Sequence, residues 1–368
     1  MKMKPIGIYI HVPFCKRKCA YCDFFSVCTL KTAEDYTLAV LKDMEKFRAK
    51  GIFADTLYLG GGTPTELPAD SLCRIIQKAR EIFGIDPSAE ITVETNPSKN
   101  QQQLLEKLAM AGVNRLSVGM QSSDSRELEF LGRAHRAEQI QSTVEGARKA
   151  GIKNISLDLM LGIPFQTEKS LETSVEFAAG LGVDHISAYI LKVEERTVFN
   201  RLLKRGELPL CDDETCARLY LSAAELLQKH GFFHYEISNF AKKGFESRHN
   251  LKYWQDEPYL GFGPSAHSFF EGRRFFYPPS IRDYIKNRPP VEDGKGGSFE
   301  EFLMLGLRLC KGIRFEDVEK KFGFSVPTST LKTAKELAEH GLMTVDGEKM
   351  ALTRQGFLLS NEIISRLI

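Results

Sequence analysis

The stretch Tyr9-Ile10-His11-Val12-Pro13-Phe14-Cys15-Lys16-Arg17-Lys18-Cys19-Ala20-Tyr21-Cys22 sets three thiols at spacings of four and three, directly after an apolar, β-branched run at residues 6–12. Such a near-continuous apolar run predicts a strand buried on both faces, as parallel sheets require. The loop behind it can wrap one inorganic cluster. Three thiolates on a four-iron cubane leave one iron open to a non-protein ligand, whereas structural zinc asks for four closed ligands. Lys16, Arg17 and Lys18 add positive charge that lowers thiolate pKa and raises a cluster's electron affinity; a solvated loop tip is the plainer reading of the same residues. Cys28, six residues beyond Cys22, is read as a small core residue outside the site, like the scattered Cys73, Cys211, Cys216 and Cys310.

Outward from this motif, short apolar runs alternate with longer amphipathic stretches. Further strands are expected at residues 56–59, 91–95, 115–119, 155–160 and 185–191. Helices are expected at 33–50, 71–83, 101–111, 137–150 and 168–181, several of them ending at Gly51, Gly84, Gly112 or Gly151. Six strand-helix units predict an α/β fold, a partial (β/α)6 barrel whose ligands gather at the carboxyl ends of the strands. A helix at about 214–230 then leads into an aromatic, glycine-rich region at 232–277, and the Pro-Pro and Gly-Lys-Gly-Gly of 289–298 read as a linker. Helices at 299–309, 315–322 and 329–340, with strands at 342–345 and 350–352 around Asp346-Gly347, predict a small C-terminal winged-helix-like domain. The expected division is 1–230 for the barrel with its cluster and cofactor site, 231–290 for the aromatic extension, and 291–368 for the cap.

With 368 residues, 42% hydrophobic and 27% charged, the chain falls in the globular band, which excludes disordered, collagenous and disulfide-scaffold classes. Fifty Lys and Arg against 48 Asp and Glu leave a net +2, too small an excess to recruit nucleic acid or acidic lipid by bulk electrostatics. Any partner must be recognised by a site. No run approaches the ~18 apolar residues of a membrane span, and the N-terminal apolar run is too short for a signal peptide. The cytosol is the expected compartment, with peripheral membrane contact left open.

Cys-x3-Cys-x2-Cys after the first strand of a partial barrel resembles the radical S-adenosylmethionine superfamily. The resemblance implies a 4Fe-4S cluster on Cys15, Cys19 and Cys22, with the open iron chelated by S-adenosylmethionine, whose reductive cleavage gives a 5′-deoxyadenosyl radical. After the second strand, Gly60-Gly61-Gly62-Thr63-Pro64-Thr65 looks like that superfamily's glycine-rich methionine-binding motif; in isolation it is equally a tight turn. Glu94, Gln121 and Asp158 follow the later strands, with Arg133 in Leu131-Gly132-Arg133-Ala134-His135. They offer acceptors for ribose hydroxyls and a cation for the methionine carboxylate. Taken in order, with Tyr9 before the triad, Tyr21 within it and Lys192 after the sixth strand, where a main-chain contact is expected, they resemble the cofactor contacts of the coproporphyrinogen dehydrogenase branch.

That branch holds two families with different work. The oxygen-independent coproporphyrinogen III dehydrogenase carries a further cysteine two positions after the triad, where this chain has Phe24, and an N-terminal extension, where only fourteen residues precede Cys15. Conversely, Arg248-His249-Asn250-Leu251-Lys252-Tyr253-Trp254 looks like the His-Asn-x-x-Tyr-Trp motif of the HemW haem chaperone family. The resemblance implies haem b as ligand, with His249 on the iron, Asn250 as an orienting group, and Tyr253 and Trp254 as aromatic faces. A histidine and two aromatics fixing a loop against the barrel is the alternative reading, and His267 in Gly263-Pro264-Ser265-Ala266-His267 is a second haem candidate. The expected function is a haem chaperone serving apo-haemoproteins with the help of an electron donor; the alternative is oxidative decarboxylation of coproporphyrinogen III.

Overall fold

A computed structural model describes residues 4–368. Strands β1 (Ile6–Val12), β2 (Ala54–Gly61), β3 (Glu90–Thr95), β4 (Arg115–Gln121), β5 (Asn154–Leu161) and β6 (His185–Ile190) pair in sequence order, all parallel. Between them run α1 (Ala33–Glu45), α2 (Ala69–Phe83), α3 (Gln102–Met110), α4 (Ser125–Phe130), α5 (Ala137–Lys149) and α6 (Glu168–Gly180). Helix α2 shows why they pack: Leu72, Ile75, Ile76, Ala79 and Phe83 recur at spacings of three and four and are wholly buried. Gly84, at φ +47°, then ends the helix in the left-handed region. Helix α4 was not anticipated; Asp124 caps it by accepting from the Arg126 and Glu127 amides.

Side chains alternate across each strand. Ile8, Ile10, Val12, Leu57 and Leu59 are fully buried in the apolar core. The intervening residues are polar: Tyr9 and His11 on β1, Thr56 and Tyr58 on β2, Glu94 on β3, Arg115 and Ser117 on β4, Ser156 and Asp158 on β5, and His185, Ser187 and Tyr189 on β6. The barrel is therefore lined with hydrogen-bonding groups on the face away from its helices, and it is this face that forms the site.

The region beyond β6 is built into the same sheet. Helices α7 (Val198–Lys204) and α8 (Asp213–Lys229) lead to the hairpin β7 (Phe233–Glu236) and β8 (Asn239–Ala241), which pairs antiparallel on β6. After α9 (Arg248–Trp254), β9 (Tyr259–Phe262) pairs parallel to the other side of β1, and β10 (His267–Phe270), β11 (Arg273–Phe276) and β12 (Val291–Lys295) extend that side antiparallel. One sheet of twelve strands results, in the order β12-β11-β10-β9-β1-β2-β3-β4-β5-β6-β8-β7. The expected linker at 289–298 is corrected: residues 291–295 are the edge strand β12. Its sequence Val-Glu-Asp-Gly-Lys, exposed throughout, shows no apolar period, and its charges suit an open sheet edge.

The C-terminal unit has helices Phe299–Gly306, Phe315–Phe322 and Thr328–Glu339 with a three-stranded sheet, β13 (Ile313–Arg314), β14 (Met343–Val345) and β15 (Lys349–Leu352), as the winged-helix reading expects. Two further helices, Arg354–Leu358 and Ser360–Leu367, close the chain. Among the described residues, no helix is long and apolar enough to cross a membrane.

Candidate functional site

The cysteine loop leaves β1 and returns on itself. Cys15 N–H donates to the Val27 carbonyl at 3.0 Å and Val27 N–H to the Pro13 carbonyl at 2.8 Å, while the Phe14 ring between them is wholly buried. The glycine loop after β2 locks against it: Gly62 and Thr63 donate their N–H groups to the Val12 and Phe14 carbonyls at 2.9 and 2.7 Å. A Cβ on Gly62 would stand 2.7 Å from the Phe14 oxygen, and one on Gly61, at φ +106°, would stand 2.5 Å from the His11 ring. These glycines are demanded first by the neighbouring strand and the cysteine loop. From below, Phe199 of α7 donates its N–H to the Ala20 carbonyl, and Tyr21 packs with Phe130 and Phe199.

Cys15, Cys19 and Cys22 border one cleft. Burial pushes the Cys15 and Cys22 thiols up, with neighbouring thiols adding to the rise. Such thiols ionise when a bound cation compensates them, so ligation would expel their protons. Among the described residues, no three His, Cys, Asp or Glu side chains close on a single-ion site. A cubane is wider than one ion and suits thiols spaced around it. All eight cysteines are free, and Cys28, read from sequence as a core residue, is exposed.

The same cleft gathers Gly61, Gly62, Thr63, Glu94, Gln121, Arg133 and Asp158, contributed by four strands and the turn after α4. Glu94 accepts from the Tyr58 hydroxyl at 2.7 Å and from Gly61 N–H at 3.1 Å, and burial raises its carboxyl to about 7. Asp158 is likewise pushed up by burial and accepts from Ser117 at 3.4 Å. Gln121 sits at a register shift ending β4, at φ +69°, and its carbonyl accepts from the Tyr189 hydroxyl at 2.7 Å. That irregularity turns the side chain into the cleft. Arg133 donates to Tyr21 at 2.7 Å and to Asn96, yet its Nε is buried without a partner. An unpaired buried guanidinium donor beside open thiols is fitted to a carboxylate ligand. Asn96 and Tyr189 escaped the sequence reading, although Tyr189 lies two places from Ser187 on the inward-facing series.

Two further expected cofactor contacts border neighbouring cavities. Tyr9 lies outside this cleft, its hydroxyl 3.0 Å from His11 Nδ1, and its ring faces Tyr58 and His249. Lys192, where a main-chain contact is expected, borders an adjoining inner cavity, while its side chain is 81% exposed and pairs with Glu194 at 2.9 Å.

Helix α9 closes the opposite end of the barrel. Glu90, at the start of β3, accepts from the Arg248 and His249 N–H groups at 3.1 Å each, a carboxylate on a helix N-terminus. The His249 ring is buried against Tyr58, with Nδ1 2.8 Å from Thr56 Oγ1 and Nε2 2.8 Å from the Tyr253 hydroxyl. Burial lowers its pKa to about 3. Both nitrogens are occupied, so in this arrangement the ring offers iron no free lone pair and ties α9 to the barrel. The other expected haem residues diverge: Asn250 borders the inner cavity and Trp254 lies under the Arg308 guanidinium at 5.6 Å. Tyr253 borders a separate cavity of about 620 Å³ beside the cysteine cleft, together with Phe24 and His267.

The Radical SAM superfamily matches residues 9–178, and the HemN C-terminal domain matches residues 299–359. Fold and cysteine cleft together thus define a radical S-adenosylmethionine protein with a HemN-type C-terminal domain. The heme chaperone HemW of Bacillus subtilis is 37% identical across 98% of this chain and 98% of its own length, and that of Lactococcus lactis is 33% identical across 100% and 98%. The chain belongs to the HemW haem chaperone family. Coproporphyrinogen III oxidase (HemN) from Escherichia coli, a radical SAM enzyme, shares the fold with a TM-score of 0.84 over 99% of this chain and 90% of its own, at 21% identity.

Proposed function

We propose that this protein binds haem b and delivers it to apo-haemoproteins, holding a 4Fe-4S cluster on Cys15, Cys19 and Cys22 and S-adenosylmethionine in the adjoining cleft. A small electron carrier would be its redox partner, and the cytosol its compartment. The observation that carries the reading is Phe24: its side chain is 67% exposed between the cysteine cleft and the 620 Å³ cavity. The dehydrogenase pattern requires a thiol there, and a phenyl ring cannot replace one, but it can face a macrocycle. A cluster with S-adenosylmethionine supplies one-electron reductive cleavage of the cofactor's carbon–sulfur bond. This chain's own part is to hold the methionine carboxylate with Arg133, the ribose hydroxyls with Glu94, Gln121 and Asp158, and to exclude water with Tyr21 and Phe199.

The test uses one anaerobically reconstituted preparation. Haem titration should shift the Soret band, and loaded protein should pass haem to an apo-haemoprotein. Incubation with coproporphyrinogen III, reductant and S-adenosylmethionine should leave that substrate unchanged. Formation of protoporphyrinogen would replace this reading with the dehydrogenase one.

A further inference from the structure

The cavity of about 620 Å³ lies between the loop bearing Lys18 and Phe24 and the turn that joins β9 to β10. Its size suits a bound small molecule or cofactor. We propose that haem docks here, with His267 rather than His249 as the protein ligand to iron and with Lys18 and Arg196 as partners of its propionates. The proposal rests on the haem-binding reading above and assigns it a place.

The histidines divide by what their rings already do. His11 bonds Tyr9 and the Phe25 carbonyl, His135 the Met120 carbonyl, His185 both Ser156 and Tyr235, and His249 both Thr56 and Tyr253. His234 has an unpaired Nε2 but is buried against the Phe240 ring, far along the sheet at β7, and His230 and His340, exposed at helix ends, do not border the cavity. His267 opens β10 on the cavity wall, exposed, with its ring stacked on Phe276 at 5.1 Å and 21°. Neither ring nitrogen makes a hydrogen bond among the described residues. One face held and both nitrogens free is the condition an axial ligand must meet.

Its backbone is fixed to match. The His267 carbonyl lies so close to β9 that a Cβ on Gly261 would stand 2.1 Å from it. Two residues earlier, Ser265 borders the cavity at φ +70°, a left-handed conformation that costs free energy in any residue but glycine. Around this wall stand Tyr9, Tyr253 and Tyr259, and across from it the exposed Phe24, faces fitted to a flat aromatic ligand. Lys18 and Arg196 supply positive charge; Arg196 is 75% exposed and holds only Asp23, at 3.2 Å, a pairing that a propionate could take over. Lys18 and Phe24 also border the cysteine cleft, so a ligand here would abut the cluster loop.

The test titrates haem b into the full, cluster-reconstituted chain under anaerobic conditions, following the Soret band and the electron paramagnetic resonance of ferric haem. His267→Ala should weaken binding roughly tenfold or more and remove the histidine signature, and added imidazole should restore it. His249→Gln should bind within about twofold of the parent. Arg196→Glu should weaken binding of haem but not of its dimethyl ester, which lacks the carboxylates. Unchanged binding and spectra in His267→Ala, or a loss that imidazole does not repair, overturns this placement. Failure of the parent protein to bind haem at all would instead overturn the chaperone reading on which it stands.

Discussion

Single residues carry the cysteine cleft. Cys19→Ser should abolish the cluster's visible absorption and its iron content after reconstitution; iron retained at the parent level would mean an adventitious site. Gly62→Ala is a sharper probe, because the added methyl meets backbone atoms, the Phe14 carbonyl at 2.7 Å and the Val12 carbonyl at 2.8 Å, which no rotamer can move. It should cost about 1–3 kcal/mol in a denaturant titration and lower cluster yield as the loop shifts. An unaltered midpoint would show that the two loops separate freely. The sequence displayed these positions well. Three thiols in eight places and a run of three glycines are local signals, whereas the reason for the glycines, the ring of His11 and the loop of Phe14, comes from fifty residues away.

At the scale of elements, α9 shows how residues adjacent in a motif are sent to different places. The run Arg248 to Trp254 is conspicuous for its aromatics, but a helix turns them to different sides: His249 into the barrel, Trp254 toward the C-terminal unit under Arg308. Thr56→Val should leave His249 with a buried, unpaired ring nitrogen and cost about 1–3 kcal/mol in a urea titration. A neutral result would mean that the ring has access to water or to a ligand. Strand β12 escaped the sequence reading, since an exposed edge strand has no apolar period to read. Gly61, Glu94, Gln121 and Asp158, which line the cysteine cleft, announced themselves because each lies at or near the end of a recognisable strand. Tyr189 and Asn96 did not, because their partners Gln121 and Arg133 belong to other crossovers.

Across the whole molecule, two features set stability. The C-terminal unit is tied to the sheet through Asp256, whose carboxylate is fully buried between Lys321 at 2.6 Å and Arg274 at 3.4 Å. Lys321→Ala would leave that charge short of a partner, and should cost about 3–5 kcal/mol or shift the carboxyl further toward protonation. A thermal melt superimposable on the parent's would sink this account. The second feature is acid sensitivity. Burial holds His11, His135 and His234 at about 4 and His249 at about 3, and His185 well below the usual value. Unfolding lets each bind a proton below its ordinary pKa of 6.5, so stability is full above that pH and falls as acid is added down toward 4. Glu94 and Glu236, raised by burial to about 7, act in the opposite sense between their ordinary 4.5 and 7, as Asp158 and Asp256 do above their ordinary 3.8, but with His267 also lowered these are four carboxyls against six imidazoles. Urea midpoints should therefore drop between pH 6.5 and 4, and a flat profile would refute the reading. What the sequence determined by itself was periodic or local: the alternation of strands and helices, the thiol spacing, the glycine run, the hairpin at Asp346-Gly347. Tertiary structure alone decided which histidine brings free nitrogens to the cavity wall, that β9 closes on β1, and that Arg133 reaches Tyr21, because burial and partnership depend on contacts between segments far apart in the chain, which no local pattern encodes.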